Sequence, residues 1–243
     1  MKVTIVAEIG SNWEGNIEKA KKLILEIKLI GADAVKFQMW RAKDLYNDSM
    51  PEWESIKKSE LTFDTAKKLK KYSDKIGIEF FCSAFYPEAV EFLESLNVKR
   101  YKIASRTSAL RDSDSLSTLK EISKTKKPII MSLAFGGDRK KLSRILSNNK
   151  STLCYCIAEY PLKFSKIKWN EAIKYDGFSD HTLGITAPVI FTVLKKQKKS
   201  KHIIIEKHVK FKNSKGPDAS TSIDTEQLGE MISHIRLVQK TNL

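Results

Sequence analysis

Two lysines sit where a folded chain rarely leaves an ammonium group. Lys36 lies inside AVKFQMW and Lys102 inside RYKIAS, each among residues that demand burial. A buried cation without a partner is costly, so a bound anion is the economical explanation for both. Serines recur near the ends of apolar runs at Ser83, Ser105, Ser132 and Ser179, and hydroxyls beside lysines form a cradle for phosphate or carboxylate oxygens. Two histidines, His181 in DGFSDHT and His208 in HIIIEKHVKF, end consecutive runs. On neighbouring strands about 4.8 Å apart, both imidazoles reach one divalent metal such as Mn, Fe, Co or Zn. Glu8 closes the first run, and Tyr160 with Pro161 closes the sixth. Strand alternation puts Gln38 on one face with Lys36, and Glu206 on one face with His208.

Other reactive residue types read as structural. His202 starts its run and His234 lies on a helix face, so both are expected to be packed or solvated. Cys82, Cys154 and Cys156 fall within strand segments and are expected to be inert core thiols. Their odd number and C-Y-C spacing fit neither a disulfide framework nor a zinc site.

The elements that must position these groups alternate strand and helix from start to finish. The strands read VTIVAEIG, AVKFQMW, EFFCSAF, RYKIAS, PIIMSLAF, STLCYCIAEYP, DGFSDHT and HIIIEKHVKF. A helical pattern follows each, including one through Trp169 and Ile173, and one over TEQLGEMISHIRLVQ with Leu228, Met231, Ile232, Ile235 and Val238 as its stripe. Gly77 marks a helix end and Pro87 a helix start. The segment from Arg41 to Leu61 reads as a long polar loop. Eight strand–helix repeats without a linker predict one α/β domain over residues 1–243, a (β/α)8 TIM barrel. An open doubly wound sheet is disfavoured because EIGSNWEGN is not a G-x-G-x-x-G phosphate loop. In a barrel, chemistry sits at the C-terminal ends of the strands, where these polar residues fall.

The net charge is +15. Its lysines are spread over nearly every helix, as in AKKLKKYSDK and VLKKQKKSK, so solvated helix faces are expected rather than a nucleic-acid surface. No run reaches the roughly 18 apolar residues of a membrane span. MKVTIVAEIG enters a strand without a cleavage site, so the expected location is cytoplasmic.

The segments AEIGSNWEGN, GADAVKFQ, YKIAS, FSDHTLGI, IIEKHVKF and GPDAS, in this order and spanning nearly the whole chain, resemble the signatures of the N-acetylneuraminate (sialic acid) synthase family. That family includes the legionaminate and pseudaminate synthases. The resemblance implies metal-dependent condensation of phosphoenolpyruvate with an amino-sugar aldehyde of the N-acetylmannosamine kind, giving a nine-carbon 3-deoxy-2-keto acid and phosphate. It implies that Lys36, Ser83, Lys102, Ser105, Ser132 and Ser179 hold phosphoenolpyruvate, Ser83 standing where relatives usually have Thr. His181 and His208 would hold the metal, typically Mn2+; Gln38, Tyr160 and Asp218 would contact the acceptor sugar; Glu8 and Glu206 would line the same site. Lys36, Lys102, Glu8 and Glu206 are the expected catalytic groups.

Departures gather on the sugar side. Trp13 stands for a usual His, Ala158 for Asn, Ala219 for His, and Arg106-Thr107 for Gly-Glu. Glu159 or Glu14 is the expected substitute for the missing carboxylate. The expectation is a barrel domain alone, lacking the family's C-terminal antifreeze-like domain, and a homodimer is the expected assembly. Two other readings stay open on the residues: a synthase for another 3-deoxy-ulosonic acid, and a non-catalytic barrel that binds phosphorylated ligands.

Overall fold

The computed structural model describes residues 1–242. Eight parallel strands close on themselves: β1 (Lys2–Glu8), β2 (Ala34–Met39), β3 (Glu79–Ala84), β4 (Tyr101–Ile103), β5 (Ile129–Ser132), β6 (Ser151–Tyr155), β7 (Gly177–Asp180) and β8 (His202–Lys210). Closure comes from β1 pairing with β8 from Lys2↔His202 to Glu8↔His208. This is the (β/α)8 barrel that the strand–helix alternation predicts.

Strand alternation sorts the side chains into two apolar layers. Outward residues such as Ile5, Val35, Phe37, Phe80, Ile103, Phe178 and Ile205 pack with helix residues including Leu23, Ile24, Leu69, Leu93 and Phe191 in one large core. Inside the barrel, Val6, Ala34, Phe81, Ile130, Cys154 and Ile204 form a separate apolar floor. Two residues further along the same strands come Glu8, Lys36, Ser83, Ser132 and Glu206. The period of two that buries the floor therefore aims the polar residues at the space above it.

The helices follow their local signals. Asn16 caps Ile17–Ile30 by accepting from the backbone N–H groups of Glu18 and Lys19. The helix Phe63–Ile76 ends at Gly77, whose φ of 72° is the left-handed conformation that glycine adopts without strain. Asp224 and Gln227 form a reciprocal capping box at the start of Thr225–Lys240.

Four expectations need correction. The polar loop after β2 holds two short helices, Ala42–Leu45 and Trp53–Lys58. Ser105 does not end a strand; it opens the short helix Ser105–Ser108 directly after β4. The sixth helix shrinks to Trp169–Ala172 beside a 3-10 turn at Phe164–Lys166. The sixth strand stops at Tyr155 rather than running to Pro161. The reason lies in hydrogen bonding: past Cys156 the chain turns to His181, whose Nδ1 is 2.8 Å from Ile157 O and whose carbonyl accepts from Leu162 N at 2.8 Å.

Gly177 faces inward on β7, and a Cβ there would lie 2.3 Å from Cys154 Sγ in the barrel floor. Gly177→Ala is expected to destabilise the protein by about 1–3 kcal/mol through overpacking, read as a lowered urea midpoint. An unchanged midpoint would show that the floor has room for a methyl group.

Candidate active site

At the C-terminal ends of the strands a cavity of about 270 Å³ opens above the apolar floor. Among the predicted residues its lining takes in Lys36, Gln38, Ser83, Lys102, Ser105, Ser132, Tyr160, Ser179, His181, Glu206, His208 and Asp218. These come from seven of the eight strands, β2 to β8, or the loops after them, Asp218 lying in the loop beyond β8. Glu8 differs from expectation: it is fully buried and supports the lining from behind, paired with Lys36 and accepting from Gln38 Nε2 at 2.8 Å.

The two lysines are not unpaired, which corrects the premise that an anion must balance them. Lys36 is paired with Glu8 and donates to Ser83 Oγ at 3.2 Å. Lys102 donates to Glu206 Oε1 at 2.9 Å and to Ser132 Oγ at 2.8 Å. Glu206 also accepts from Ser179 Oγ at 2.8 Å and lies 3.9 Å from Lys36. Each ammonium has three N–H donors, and Lys102 spends two of them on these bonds. The serine oxygens that accept from the lysines keep their own protons to donate. The lysines are thus held, charged and incompletely saturated, as an anion-binding cradle requires.

Burial alone would raise the Glu206 carboxyl, but Lys102 and Lys36 outweigh it and bring it down to about 2. Glu206 in turn lifts the Lys102 ammonium above its ordinary range despite complete burial. Both groups are therefore ionised at neutral pH.

The imidazole rings of His181 and His208 have centroids 5.7 Å apart. Burial, reinforced by His208, pushes His181 down to about 3, so its ring is neutral, the form that binds metals. With Nδ1 facing Ile157 O, the Nε2 lone pair of His181 is left for a ligand. His208 Nδ1 is buried without a hydrogen-bond partner. The pair fits two positions of a divalent ion's coordination shell. Among the described residues there is no group of three His, Cys, Asp or Glu side chains able to hold a metal, so further ligands would be water or substrate oxygens.

On the outer side of the same strand ends, Lys207 Nζ donates to Asp180 Oδ2 at 2.6 Å with both side chains wholly buried. Asp180 also accepts from Thr182 N at 2.9 Å and from Thr182 Oγ1 at 3.0 Å. Asp180 lies between Ser179 and His181, and Lys207 between Glu206 and His208, so this pair ties together the two strands that carry four site residues.

The expected replacements for the missing carboxylate lie elsewhere: Glu159 pairs with Lys166, and Glu14 with Lys19. Thr107 itself is buried with its hydroxyl unpartnered and lies outside the cavity lining. Asp218 is a carboxylate that does line the cavity, its Oδ2 accepting from Ser11 N at 2.8 Å and Ser11 Oγ at 2.7 Å. Trp13 is core, and Ala219 forms part of a 3-10 turn.

Sequence reasoning missed several lining residues: Tyr46, Phe85, Arg106, Phe135 and Cys156. Cys156 does not lie within the strand, since β6 ends before it and it borders the cavity beside Ser105. Its two-residue spacing from inward-facing Cys154 was the available signal. Tyr46 and Phe135 come from loops, where no periodicity marks an inward direction.

Fold and cavity together define a closed parallel barrel with a buried lysine–serine cluster and paired imidazoles at the C-terminal ends of its strands. Residues 23–242 match the NeuB family model, and the chain belongs to that family. It is 36% identical over 97% of its length to an uncharacterised protein of Methanocaldococcus jannaschii, covering 71% of that protein. It is 31% identical over 98% of its length to the N,N'-diacetyllegionaminic acid synthase of Campylobacter jejuni, covering 77% of that enzyme. The N-acetylneuraminic acid (sialic acid) synthetase of Leptospira borgpetersenii superposes with a TM-score of 0.87 at 23% identity, across 99% of this chain and 85% of that one. Among the described residues no helix is long and apolar enough to cross a membrane.

Two measurements test this electrostatic arrangement. The depressed Glu206 carboxyl contributes stability above an unfolded value of 4.5 that is lost as pH falls towards about 2. In the metal-free protein, Glu206→Gln should flatten the dependence of unfolding free energy on pH across that window, by up to about 1.4 kcal/mol per pH unit. An unaltered slope in urea titrations would refute the buried, ionised state. Lys207→Met should cost about 3–5 kcal/mol because it strands a buried Asp180, whereas the double variant Lys207→Met with Asp180→Leu should recover much of the loss.

Proposed function

We propose that this chain is a metal-dependent synthase that condenses phosphoenolpyruvate with an amino-sugar aldehyde of the N-acetylmannosamine kind. The products are a nine-carbon 3-deoxy-2-keto sugar acid and inorganic phosphate. The observation that carries this reading is one cavity bounded by two buried lysines with serine hydroxyls on one side and two imidazoles on the other. Membership of the NeuB family and likeness to a legionaminic acid synthase support it.

In this reading the phosphate and carboxylate of phosphoenolpyruvate lie against Lys36, Lys102 and the hydroxyls of Ser83, Ser105, Ser132 and Ser179. Glu8 and Glu206 hold the ammonium groups in place before substrate arrives, so little reorganisation is needed as charge moves. Gln38, Tyr160 and Asp218 orient the acceptor so that its carbonyl carbon meets C3 of phosphoenolpyruvate. The new C–C bond forms between those carbons, water adds at C2, and the C2–O bond to phosphate breaks. Lys36 and Lys102 stabilise the departing phosphate. A divalent ion held by His181 and His208, with Mn2+ the expected one, would supply Lewis acidity at the aldehyde oxygen.

Phosphate release from phosphoenolpyruvate with Mn2+ should occur only when a suitable aldose or N-acetylhexosamine from a panel is present. Binding of phosphoenolpyruvate without release for any acceptor would favour a non-catalytic barrel. Release with simple aldoses alone would point to a different 3-deoxy-ulosonic acid. Lys102→Ala should weaken phosphoenolpyruvate binding, measured by calorimetry, by about 2 kcal/mol or more, at least roughly thirtyfold. Retained affinity would remove Lys102 from the cradle.

A further inference from the structure

The lining of the cavity includes one cation that the phosphoenolpyruvate cradle does not use. Arg106 follows the cradle residue Ser105 at the start of the short helix after β4 and borders the same cavity. Its guanidinium is fixed rather than loose: Nε lies 3.3 Å from Asp112 Oδ2, and Nη2 contacts the other oxygen of that carboxylate, which is mostly buried. Nη1 takes no part in these bonds, and the Arg106 side chain is 41% exposed. Close by in the lining stand Tyr46 and Asp218, near enough that the Tyr46 hydroxyl is lifted by burial and by Asp218 and lowered by Arg106. Phe135 of the same lining packs under Arg111 at 3.8 Å, which adds a second guanidinium on that side.

These positions separate the charges by task. Lys36 and Lys102 are buried and bonded to Glu8 and Glu206 around the serine hydroxyls, while Arg106 is held by its own carboxylate nearer to solvent. An arginine oriented by one carboxylate presents its remaining N–H groups to a second anion in a planar, directional way. A guanidinium is poorly used against a neutral hydroxyl but well matched to a carboxylate or phosphate.

We infer that Arg106 forms a distinct anion subsite, so that the acceptor aldehyde carries a phosphate or carboxylate group at the end remote from its carbonyl. This specificity assignment rests on the synthase reading above, and Asp218 and Tyr46 would then meet the neutral hydroxyls between the two ends.

The test compares three acceptors with the metal-loaded, full chain: N-acetylmannosamine, its 6-phosphate, and the corresponding 6-carboxylate. The wild-type protein should prefer a charged acceptor by at least tenfold in kcat/KM, and which one it prefers distinguishes phosphate from carboxylate. Arg106→Gln should bring the charged-to-neutral ratio towards one, chiefly through KM for the acceptor, and Arg106→Lys should restore part of it. If Arg106 only braces the turn to Asp112, the variant will lower both acceptors alike and leave the ratio unchanged, which overturns the subsite. Should no acceptor release phosphate, the synthase reading fails separately. Calorimetric binding of the charged sugars to wild-type and Arg106→Gln protein then decides the subsite: a tenfold loss supports it, and equal affinity refutes it.

Discussion

Four charges buried inside a closed barrel are the constraint to which the rest of the structure answers. Lys36 with Glu8, and Lys102 with Glu206, occupy the layer directly above an apolar floor. Ionised groups survive there only because each is paired and hydrogen-bonded, and removal of one partner would leave its mate uncompensated. Those pairs lie on four strands, held in register with their neighbours: Glu8 sits beside Lys36 across β1 and β2 and beside His208 across β1 and β8, while Ser83 sits beside Lys102 across β3 and β4. A one-residue slip in any of these pairings would turn the charges outward into the helix layer and the apolar residues into the cavity.

Such a layer is a poor source of stability and a good source of function. Replacing it with apolar residues would suit the barrel at least as well energetically. What it supplies is a set of cations whose positions and charge are settled before any ligand arrives. Glu206 links Lys102, Lys36 and Ser179, and shares a strand with His208. The cradle and the imidazoles are therefore one connected unit rather than two adjacent features. Asp180 and Lys207 extend that unit outward, because each alternates along its strand with the residues that face the cavity.

The periodicity of two explains which parts of the site were readable in the residues. Lys36 and Gln38, Ser83, Lys102, Ser132, Ser179, Glu206 and His208 all lie on strands or at their ends, where alternation states the direction of a side chain. Tyr46, Phe135 and Arg106 lie on loops and a four-residue helix, where spacing carries no such information. Cys156 was misjudged for a related reason: the apolar run continues to Ile157, but the strand ends at Tyr155 because the backbone leaves to bond His181. The sixth helix was overestimated from a pattern too short to sustain more than one turn.

Local pattern by itself determined the eight strands, most of the helices, the barrel class and the face on which the polar residues would gather. These follow from alternation, capping and the burial of apolar side chains, all of which act over a few residues. Only the tertiary structure decided how the charges are shared. That the lysines are balanced by Glu8 and Glu206, that Glu14 and Glu159 point elsewhere, and that Arg106 joins the cavity depend on contacts between residues far apart in the chain. Electrostatic partnership is set by distance in space, and strand and helix periodicity carries no record of it.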